Sequence, residues 1–383
     1  MRYFDFGKTG LKISRFGMGC MRFPKKELSD GSKIIDQDEV TRMVNYAYEK
    51  GINYYDTAYM YAGSEKTLGE ALKGIPRDKI IITSKLPMAK FKKYEDCERF
   101  LNKSLEDLQT DYLDFYLLHA MQDARWNIVK DLGLLNFMED AKKQGKIKYI
   151  GFSFHDNVFL FKDMIDSYDW DMCQIQLNII DEKHQAGLEG LKYAAEKNIP
   201  VVIMEPLRGG NLVNHVPEKV QQVASEFPVK KSVLEWSFKW LYSMPEVNVV
   251  LSGVNNVSQL KQNIEIAEQS LPNSMTPEEQ TLISRMQELF FEFQKIGCTH
   301  CNYCVPCPQT VDIPEIFDYY NGMSTESYQG SCRFQYTKWK YLIGHGVDKC
   351  VECGECEEKC PQQLPIIDTL KLAHKELFNP DLI

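Results

Sequence analysis

Short apolar runs alternate with segments of helical periodicity through the first 290 residues. The runs are rich in β-branched and aromatic residues and contain few polar ones, which is typical of strands buried on both faces. They lie at 14–19, 53–58, 80–86, 113–119, 149–154, 172–178, 200–206 and 247–253. The helical periodicity lies between them, at 38–50, 94–108, 127–144, 157–168, 186–197 and 257–268, and returns at 276–295.

Eight strand–helix units in about 250 residues is the number found in a (β/α)₈ barrel. We therefore predict an α/β protein with a TIM barrel, preceded by a β-hairpin over 3–13 that plugs the bottom of the barrel. A doubly wound open sheet is the alternative. The dinucleotide fingerprint G-x-G-x-x-G does not support it, because Gly17-Met18-Gly19-Cys20-Met21-Arg22 lacks the third glycine.

The composition changes after the helix predicted at 276–295. Nine of the 12 cysteines fall between 298 and 360, and residues 297–383 hold 12 acidic and 7 basic side chains, a charge of −5. Periodicity is weak in this part of the chain. We predict two domains, a barrel over 1–290 and a C-terminal, cysteine-rich, ferredoxin-like iron–sulfur domain over 297–383, with the boundary near 293–297.

The overall composition narrows the cellular setting and the partners. The chain has 383 residues, of which 44% are hydrophobic and 26% charged, as in ordinary soluble proteins. It has no apolar run long enough to span a membrane and no basic segment followed by an apolar one at its start, so we expect a cytoplasmic protein without a membrane partner. The net charge of −9 argues against a nucleic-acid partner.

Four polar side chains follow or end predicted strands two, three and four: Asp56, Tyr61, Lys85 and His119. Reducing a carbonyl requires a hydride for carbon and a proton for oxygen, and a tyrosine can supply the proton. A nearby ammonium is expected to lower the tyrosine pKa, a carboxylate to hold the ammonium, and a histidine to orient the substrate oxygen. Taken singly, each residue is more often structural. Together at the C-terminal ends of barrel strands they indicate one catalytic site.

These segments resemble the aldo-keto reductase superfamily over about residues 1–285. The resemblance is carried by 51–65 (GINYYDTAYMYAGSE), Ile82-Thr83-Ser84-Lys85, Leu117-Leu118-His119 and Gly151-Phe152-Ser153. It implies a (β/α)₈ barrel that moves a hydride between NADPH or NADH and a small aldehyde or ketone. It makes Tyr61 the acid, with Tyr59 a substitute, Lys85 and Asp56 its tuning pair, and His119 the orienting group.

The resemblance also implies residues that bind the nicotinamide cofactor. Ser153 and Gln174 match the positions that hold the carboxamide, whereas Phe154 and Met204 replace a common asparagine and a stacking tyrosine. Gly253 and Gln259 stand where NADPH-preferring members place Lys or Arg, so the choice between NADP and NAD stays open. The complete set of cofactor-binding positions is Gly19, Met21, Ser153, Gln174, Pro206, Leu207, Arg208, Gly209, Gly253, Gln259 and Asn263. Arg208 either pairs with the pyrophosphate or is a solvated loop charge.

Two cysteine runs carry the second chemistry. The second run, Cys350, Cys353, Cys356 and Cys360 before Pro361, has the spacing of a bacterial [4Fe–4S] ferredoxin, and the first run, Cys298, Cys301, Cys304 and Cys307, is one residue shorter in its last gap. In two-cluster ferredoxins the last cysteine of each run serves the other cluster. That rule predicts one cluster on Cys298, Cys301, Cys304 and Cys360, and a second on Cys307, Cys350, Cys353 and Cys356.

Several alternatives remain for this module. Zinc also binds cysteine pairs of this spacing, and a single cluster held by the second run with a borrowed ligand would leave the first run spare. Cys332 is a buried thiol or a substitute ligand. The clusters either transfer electrons, with a partner protein, or staple a small domain. A different hypothesis is an iron–sulfur electron-transfer protein whose barrel docks a redox partner. No flavin site is visible in the sequence.

Substrate specificity is expected to come from the barrel loops, such as 120–128 and 210–228, and from what the C-terminal domain places over the barrel mouth.

Overall fold

A computed structural model describes residues 1–91, 93–214, 216–324 and 326–383, so position 215 of the second predicted specificity loop lies outside the described residues. These ranges contain twelve strands: β1 (Tyr3–Asp5), β2 (Lys12–Ser14), β3 (Phe16–Gly19), β4 (Lys25–Glu27), β5 (Lys33–Ile35), β6 (Tyr54–Asp56), β7 (Ile81–Leu86), β8 (Leu113–Met121), β9 (Ile147–Phe154), β10 (Met172–Gln176), β11 (Val201–Met204) and β12 (Val247–Ser252).

Eight of the strands close into one parallel barrel, in the order β3, β6, β7, β8, β9, β10, β11, β12 and back to β3. The closing pair sets Val250 of β12 opposite Phe16 and Ser252 opposite Met18 of β3. Because all eight strands run the same way, their C-terminal ends meet at one end of the barrel, where barrel enzymes place their active sites. The predicted barrel is confirmed, and each predicted run overlaps one of its strands.

The barrel interior explains why the runs are apolar. Every residue of β7 and of β8 is buried, since one face of each strand points into the barrel and the other faces away from it. A side-chain cluster fills the interior: Phe6, Ile13, Tyr54, Ile81, Phe115, Leu117, Met172, Val202, Val249 and Leu251.

The N-terminal hairpin of β1 and β2 pairs antiparallel and covers the bottom of the barrel. Phe6, which lies between the two strands, packs edge-to-face on Phe115 with ring centroids 5.4 Å apart. Tyr149, near the start of β9, donates a hydrogen bond to the Thr9 carbonyl at 2.8 Å. Both contacts lie toward the N-terminal ends of the strands, so the barrel mouth at the opposite end is left for the polar side chains.

Sixteen α-helices occur in the described ranges: α1 (Gln37–Glu49), α2 (Ser64–Ala71), α3 (Asp96–Leu108), α4 (Asp123–Asp131), α5 (Leu134–Lys143), α6 (Val158–Ser167), α7 (Gly187–Glu196), α8 (Asn211–Asn214), α9 (Glu218–Glu226), α10 (Val233–Ser243), α11 (Val257–Gln269), α12 (Pro277–Phe293), α13 (Ile313–Gly322), α14 (Glu326–Tyr336), α15 (Glu355–Glu358) and α16 (Ile366–Leu377). The predicted helix over 276–295 is α12, which begins with a capping box between Thr276 and Glu279.

Two local predictions are wrong. The single helix predicted over 127–144 is two helices, α4 and α5, separated by Gly133 in the left-handed conformation (φ 62°). A continuous helix cannot include that conformation, and glycine adopts it at little cost. The expectation of little periodicity after residue 297 is also wrong. On α16 the buried positions Ile366, Leu370, Ala373 and Leu377 recur every three or four residues.

The described chain forms two compact units whose limits differ from the predicted domain boundary. One unit comprises 1–177, 181–206 and 238–274, and includes all eight barrel strands. The other comprises 178–180, 207–237 and 275–383. The predicted domain limits at 290 and 297 stay predictions.

The second unit has its own apolar core. Helices α13, α14 and α16 pack together, and the core includes Ile316, Phe317, Tyr336, Leu370 and Leu377. Within the described residues no helix combines the length and the apolar composition that a membrane span requires.

Candidate active site and cysteine cavities

The predicted catalytic lysine and aspartate form a buried ion pair at the barrel mouth. Lys85 lies near the end of β7 and Asp56 ends β6, the neighbouring strand. The Lys85 ammonium donates to Asp56 Oδ1 at 2.7 Å and to the Thr57 carbonyl at 2.8 Å. The side chains are 1% and 4% exposed, so the pair is shielded from water and screened little by salt.

Tyr61 and His119 complete the group. Tyr61 lies in the turn after β6, its backbone N–H bonded to the Ala58 carbonyl at 2.9 Å. Its ring meets the His119 ring edge-on, with centroids 5.8 Å apart, and Lys85 Nζ lies 5.1 Å from the Tyr61 ring centroid. The four residues predicted to act together are therefore neighbours in the fold.

Tyr59, the substitute acid, faces a different environment. Its ring packs edge-on against Phe100 of α3 at a centroid distance of 4.9 Å, and Lys90 Nζ lies 5.5 Å from it. This packing with a helix residue and a loop lysine favours Tyr61 over Tyr59 as the side chain that reaches the substrate.

The expected lowering of the Tyr61 pKa is wrong for this structure. Burial, followed by the charges of Asp56 and Glu205, raises the pKa of Tyr61 well above its ordinary value, and Arg22 opposes the rise only partly. The phenol therefore keeps its proton near neutral pH. A protonated phenol is the state that a proton donor needs.

Burial also sets the charges of the other two groups. The pKa of Asp56 is raised by burial, against which the Lys85 ammonium acts to lower it. The pKa of His119 is lowered well below its usual value by burial and by the nearby Lys85, Arg125 and His155. His119 is thus a neutral imidazole, which can donate a hydrogen bond to a carbonyl oxygen without carrying charge.

The residues predicted to hold a carboxamide lie at the ends of β9 and β10. Gln174 is 2% exposed, its side chain contacts Asp56, and its Oε1 has no hydrogen-bond partner among the described residues. The N–H₂ group of a carboxamide could donate the hydrogen bond that this buried oxygen lacks. Ser153 Oγ accepts the Ala120 N–H at 2.7 Å. These residues therefore fit a nicotinamide carboxamide.

Phe154 and Met204 have apolar surroundings. Phe154 is fully buried and packs edge-on against Phe152 and Phe161, at centroid distances of 6.3 and 5.1 Å. Phe154 therefore packs in the core at the position where the resemblance implies an asparagine. Met204 ends β11 and packs against the interior cluster of the barrel.

Five further positions predicted to bind the cofactor lie around β3 and β12, and three of them, Gly253, Gln259 and Asn263, are predicted to serve its adenosine end. Gly19 ends β3, and a side chain there would meet the Ser252 carbonyl at 3.4 Å. Asn263 donates to Ser252 Oγ at 2.9 Å, and Gln259 Oε1 accepts from the Asn255 N–H at 3.1 Å. These bonds order the turn that contains Gly253. Met21 is partly buried two residues after β3.

Arg208 contradicts one of the two alternatives given for it, and its pairing with a pyrophosphate stays a prediction. It is 7% exposed, so it is not a solvated loop charge. Its guanidinium donates to Gln294 Oε1 at 2.7 Å and to the Gly297 carbonyl at 3.4 Å. A role on a pyrophosphate would require these bonds to break. The neighbouring Pro206, Leu207 and Gly209 can offer only backbone and apolar contacts.

Sequence reasoning missed an ion pair and a histidine in the barrel unit. Arg22 Nη2 lies 3.1 Å from Glu205 Oε1, and both residues affect the Tyr61 pKa. His155 follows the Gly151–Phe154 segment directly and is buried beside His119. A basic residue that immediately follows a strand-end motif was the available signal for His155.

Nine cysteines of the second unit fall into three environments. One cavity of about 330 Å³ is lined by Cys298, Cys301, Cys304 and Cys360. A second cavity of about 410 Å³ is lined by Cys304, Cys307, Cys350, Cys353 and Cys356. The first cavity holds the two buried members, Cys298 and Cys360, whereas Cys353 in the second is exposed.

Cys332 lines neither of these cavities. It is 8% exposed within the apolar core of the second unit, and a side chain at Gly322 would come within 2.6 Å of its sulfur. Burial raises the pKa of its thiol. It therefore matches the buried-thiol alternative.

Comparisons with known proteins agree with this architecture. The model of the "Aldo/keto reductase family" matches residues 15–280, and that of a "4Fe-4S dicluster domain" matches 297–364. L-galactose dehydrogenase of Arabidopsis thaliana is 26% identical over 67% of this chain and 85% of its own. The NADH-specific methylglyoxal reductase of Escherichia coli is 23% identical over 75% and 99%.

Solved structures give the same result. The holo form of aldo-keto reductase AKR11C1 from Bacillus halodurans is 25% identical over 75% of this chain and 96% of its own, with a TM-score of 0.62. The barrel and its mouth thus define an NAD(P)-dependent oxidoreductase. The chain belongs to the aldo/keto reductase family and carries a 4Fe–4S domain after its barrel.

Proposed function

We propose that the protein reduces an aldehyde or ketone with NAD(P)H, or catalyses the reverse reaction, at the site formed by Asp56, Tyr61, Lys85 and His119. The observation that carries the proposal is the buried Lys85–Asp56 pair, 2.7 Å apart, with the Tyr61 and His119 rings beside it. A proton donor and a neutral hydrogen-bond donor at one point suit a carbonyl oxygen.

Each side chain has a distinct role. Tyr61 holds the proton that passes to the carbonyl oxygen, and its raised pKa keeps that proton in place until the oxygen becomes basic. His119 donates a hydrogen bond to the same oxygen and fixes the orientation of the carbonyl. Lys85 stabilises the phenolate that remains, and Asp56 holds the ammonium.

The cofactor site is proposed on the same end of the barrel. The nicotinamide, when bound, supplies the hydride for the carbonyl carbon. Gln174 and Ser153 would hold its carboxamide, since Gln174 Oε1 is a buried acceptor without a partner among the described residues. Gly253, Gln259 and Asn263 stay predictions for the adenosine end, Gly19 and Met21 stay predicted cofactor contacts, and the choice between NADP and NAD stays open.

Substitution of the acid tests the catalytic proposal. Tyr61→Phe removes the transferable proton and keeps the ring, so kcat for reduction should fall at least about 100-fold while NAD(P)H binding changes little. Both are measured by the loss of NADPH and NADH absorbance and by cofactor fluorescence. Tyr59→Phe is the matched control and should keep most of the activity. Turnover of Tyr61→Phe near the wild-type rate would refute the role of Tyr61.

We also propose two [4Fe–4S] clusters in the second unit. Cys298, Cys301, Cys304 and Cys360 would hold one, and Cys307, Cys350, Cys353 and Cys356 the other. The support is that all members of each set line one cavity, with Cys304 of the first set lining both cavities. Within the described part of the chain, no group of three or more Cys, His, Asp or Glu side chains closes on a single-ion site. Zinc requires such closure, so the arrangement favours clusters.

Iron and acid-labile sulfide in anaerobically purified protein test this assignment. Two clusters require about eight irons per chain. Cys353→Ser should reduce the content toward four, whereas Cys332→Ser should leave it unchanged. Stoichiometric zinc in the wild-type protein, or equal iron loss in both variants, would contradict the assignment.

Electron transfer is the proposed role of the clusters. Helices α13, α14 and α16 already supply the second unit with an apolar core. A purely structural role of the clusters therefore does not explain two cysteine sets. An electron-transfer protein is then the expected partner. Anaerobic mixing with NAD(P)H should bleach the cluster absorbance. Normal carbonyl turnover without bleaching would favour the structural role.

A further inference from the structure

A bulge at the end of β8 places an arginine next to the His119 residue. The pairing of β8 with β9 shifts register between Leu118 and Met121, and Ala120 adopts a positive φ of 54°. The Ala120 N–H donates to Ser153 Oγ at 2.7 Å, and its carbonyl accepts from Arg125 Nη1 at 2.5 Å. The Arg125 guanidinium is therefore bonded to the residue that directly follows His119.

His155 approaches the same point from β9. Its backbone N–H donates to the Met121 carbonyl at 2.9 Å, and its carbonyl accepts from Gln122 Nε2 at 3.3 Å. Its side chain is 93% buried, and Nδ1 has no hydrogen-bond partner among the described residues. A buried polar atom without a partner costs stability, so it indicates a place that a ligand completes.

The charged groups around the two histidines are basic. Lys85, Arg125 and His155 act on His119, and Arg125, His184 and Lys85 act on His155, where only contact with Gln185 opposes them. Each of these groups, in its charged form, lowers the pKa of the ring on which it acts. The guanidinium of Arg125 remains charged at any working pH and offers the planar donor fork that matches a carboxylate.

Resting on the proposed function, we propose that the substrate is a 2-oxo acid. Its carboxylate pairs with Arg125 and accepts a hydrogen bond from His155 Nδ1. Arg125 is bonded to the carbonyl of the residue after His119, so a carboxylate on it would lie on the His119 side of the site, with the adjacent carbonyl directed toward His119 and Tyr61. The keto carbon gains the hydride and the keto oxygen gains the Tyr61 proton, which solvent replaces. The 2-oxo acid and NAD(P)H become the 2-hydroxy acid and NAD(P)⁺.

A carboxylate fits this place better than a phosphate ester. A carboxylate brings one negative charge to the Arg125 guanidinium. A phosphate brings almost two charges and three acceptor oxygens. The flanking histidines are neutral at pH 7 and cannot compensate the second charge.

A matched substrate pair measures the recognition. The ratio of kcat/KM for a 2-oxo acid to that for its neutral 2-oxo amide is determined with the intact, cluster-loaded protein. Arg125→Met should lower this ratio roughly 10- to 100-fold, because it removes the hydrogen bonds from the guanidinium to the charged carboxylate. Arg125→Lys should recover part of it by keeping the charge without the fork. Lys130→Met, an exposed cation on the same helix, should leave the ratio unchanged.

Binding of oxamate, a carboxylate that resembles a 2-oxo acid, separates the two proposals. Its dissociation constant on the NAD(P)-loaded protein, followed by tryptophan fluorescence, should rise at least about tenfold in Arg125→Met. Oxamate binding that depends on Arg125, without any reduction, would overturn the proposed function and leave carboxylate recognition standing. Equal efficiency for acid and amide, a ratio unaffected by Arg125→Met, or a stronger preference for a phosphorylated aldehyde would overturn the inference.

Discussion

Mild acid should weaken the barrel through His155. The side chain is 93% buried, and burial lowers its pKa to about 3, with Arg125, His184 and Lys85 adding to the effect. An unfolded histidine has a pKa near 6.5. Between these values the unfolded chain binds a proton at this position that the folded chain refuses, so stability falls as the pH falls. The loss begins below about pH 6.5 and is complete near pH 3.

The size of the effect follows from the difference between the pKa values. At pH 5 the solution is about 1.5 units below the unfolded pKa, and each unit is worth about 1.4 kcal/mol. His155 should therefore cost the folded barrel about 2 kcal/mol on going from pH 7 to pH 5. Because a chain of two units need not unfold in one step, a local measurement is needed.

Native-state hydrogen exchange of the β8 and β9 amides provides that measurement. After correction for intrinsic exchange, openings that expose His155 should become roughly 30-fold more frequent between pH 7 and pH 5. His155→Gln should remove this contribution, whereas the acid dependence that His119 adds through its own lowered pKa should remain. Phe161→Leu, a core substitution on α6, should destabilise equally at both pH values. An unchanged acid dependence in His155→Gln would refute the reasoning.

Two further substitutions test the buried contacts. Lys85→Met leaves its carboxylate partner charged and buried, so it should destabilise the barrel by about 3 kcal/mol and abolish reduction. Lys148→Met removes one member of a half-exposed ion pair and should cost less than about 1 kcal/mol, with both losses measured by hydrogen exchange. Similar losses in the two variants would contradict the importance of burial. Gly297→Ala would bring a methyl group into the space of the buried Arg208 Nη2 and should lower the thermal stability of the second unit by about 1–3 kcal/mol. Gly330→Ala, with nothing within 4 Å, should not destabilise, and equal effects would refute the steric argument.

Periodicity predicted the barrel because barrel strands and helices have simple, repeated environments. The β8 run is apolar throughout since both of its faces are buried, and that property is visible in the sequence. The break between α4 and α5 was missed because Gly133 looks like any glycine inside a periodic segment. Its left-handed conformation is decided by the tertiary fold.

The site residues divide in the same way. Asp56, Lys85 and His119 could be found because each lies at or near the end of a strand, where the barrel itself sets the position. The burial of Arg208 could not be predicted because its partners, Gln294 and Gly297, lie almost 90 residues away along the chain. The direction of the Tyr61 pKa was misjudged because burial outweighs the nearby ammonium, and the extent of burial cannot be read from sequence spacing.

The unequal exposure of the cysteines has a consequence for handling the protein. Cys298 and Cys360 are buried in the second unit, whereas Cys353 reaches solvent. Dioxygen and chelators would attack the outer set first, because thiolate reactivity follows access. Samples aged in air should therefore pass through a long-lived form that has lost only the cluster on Cys307, Cys350, Cys353 and Cys356. An iron content near half of the full value would then reflect loss of one proposed cluster during storage. A fresh anaerobic sample is therefore needed to count the clusters.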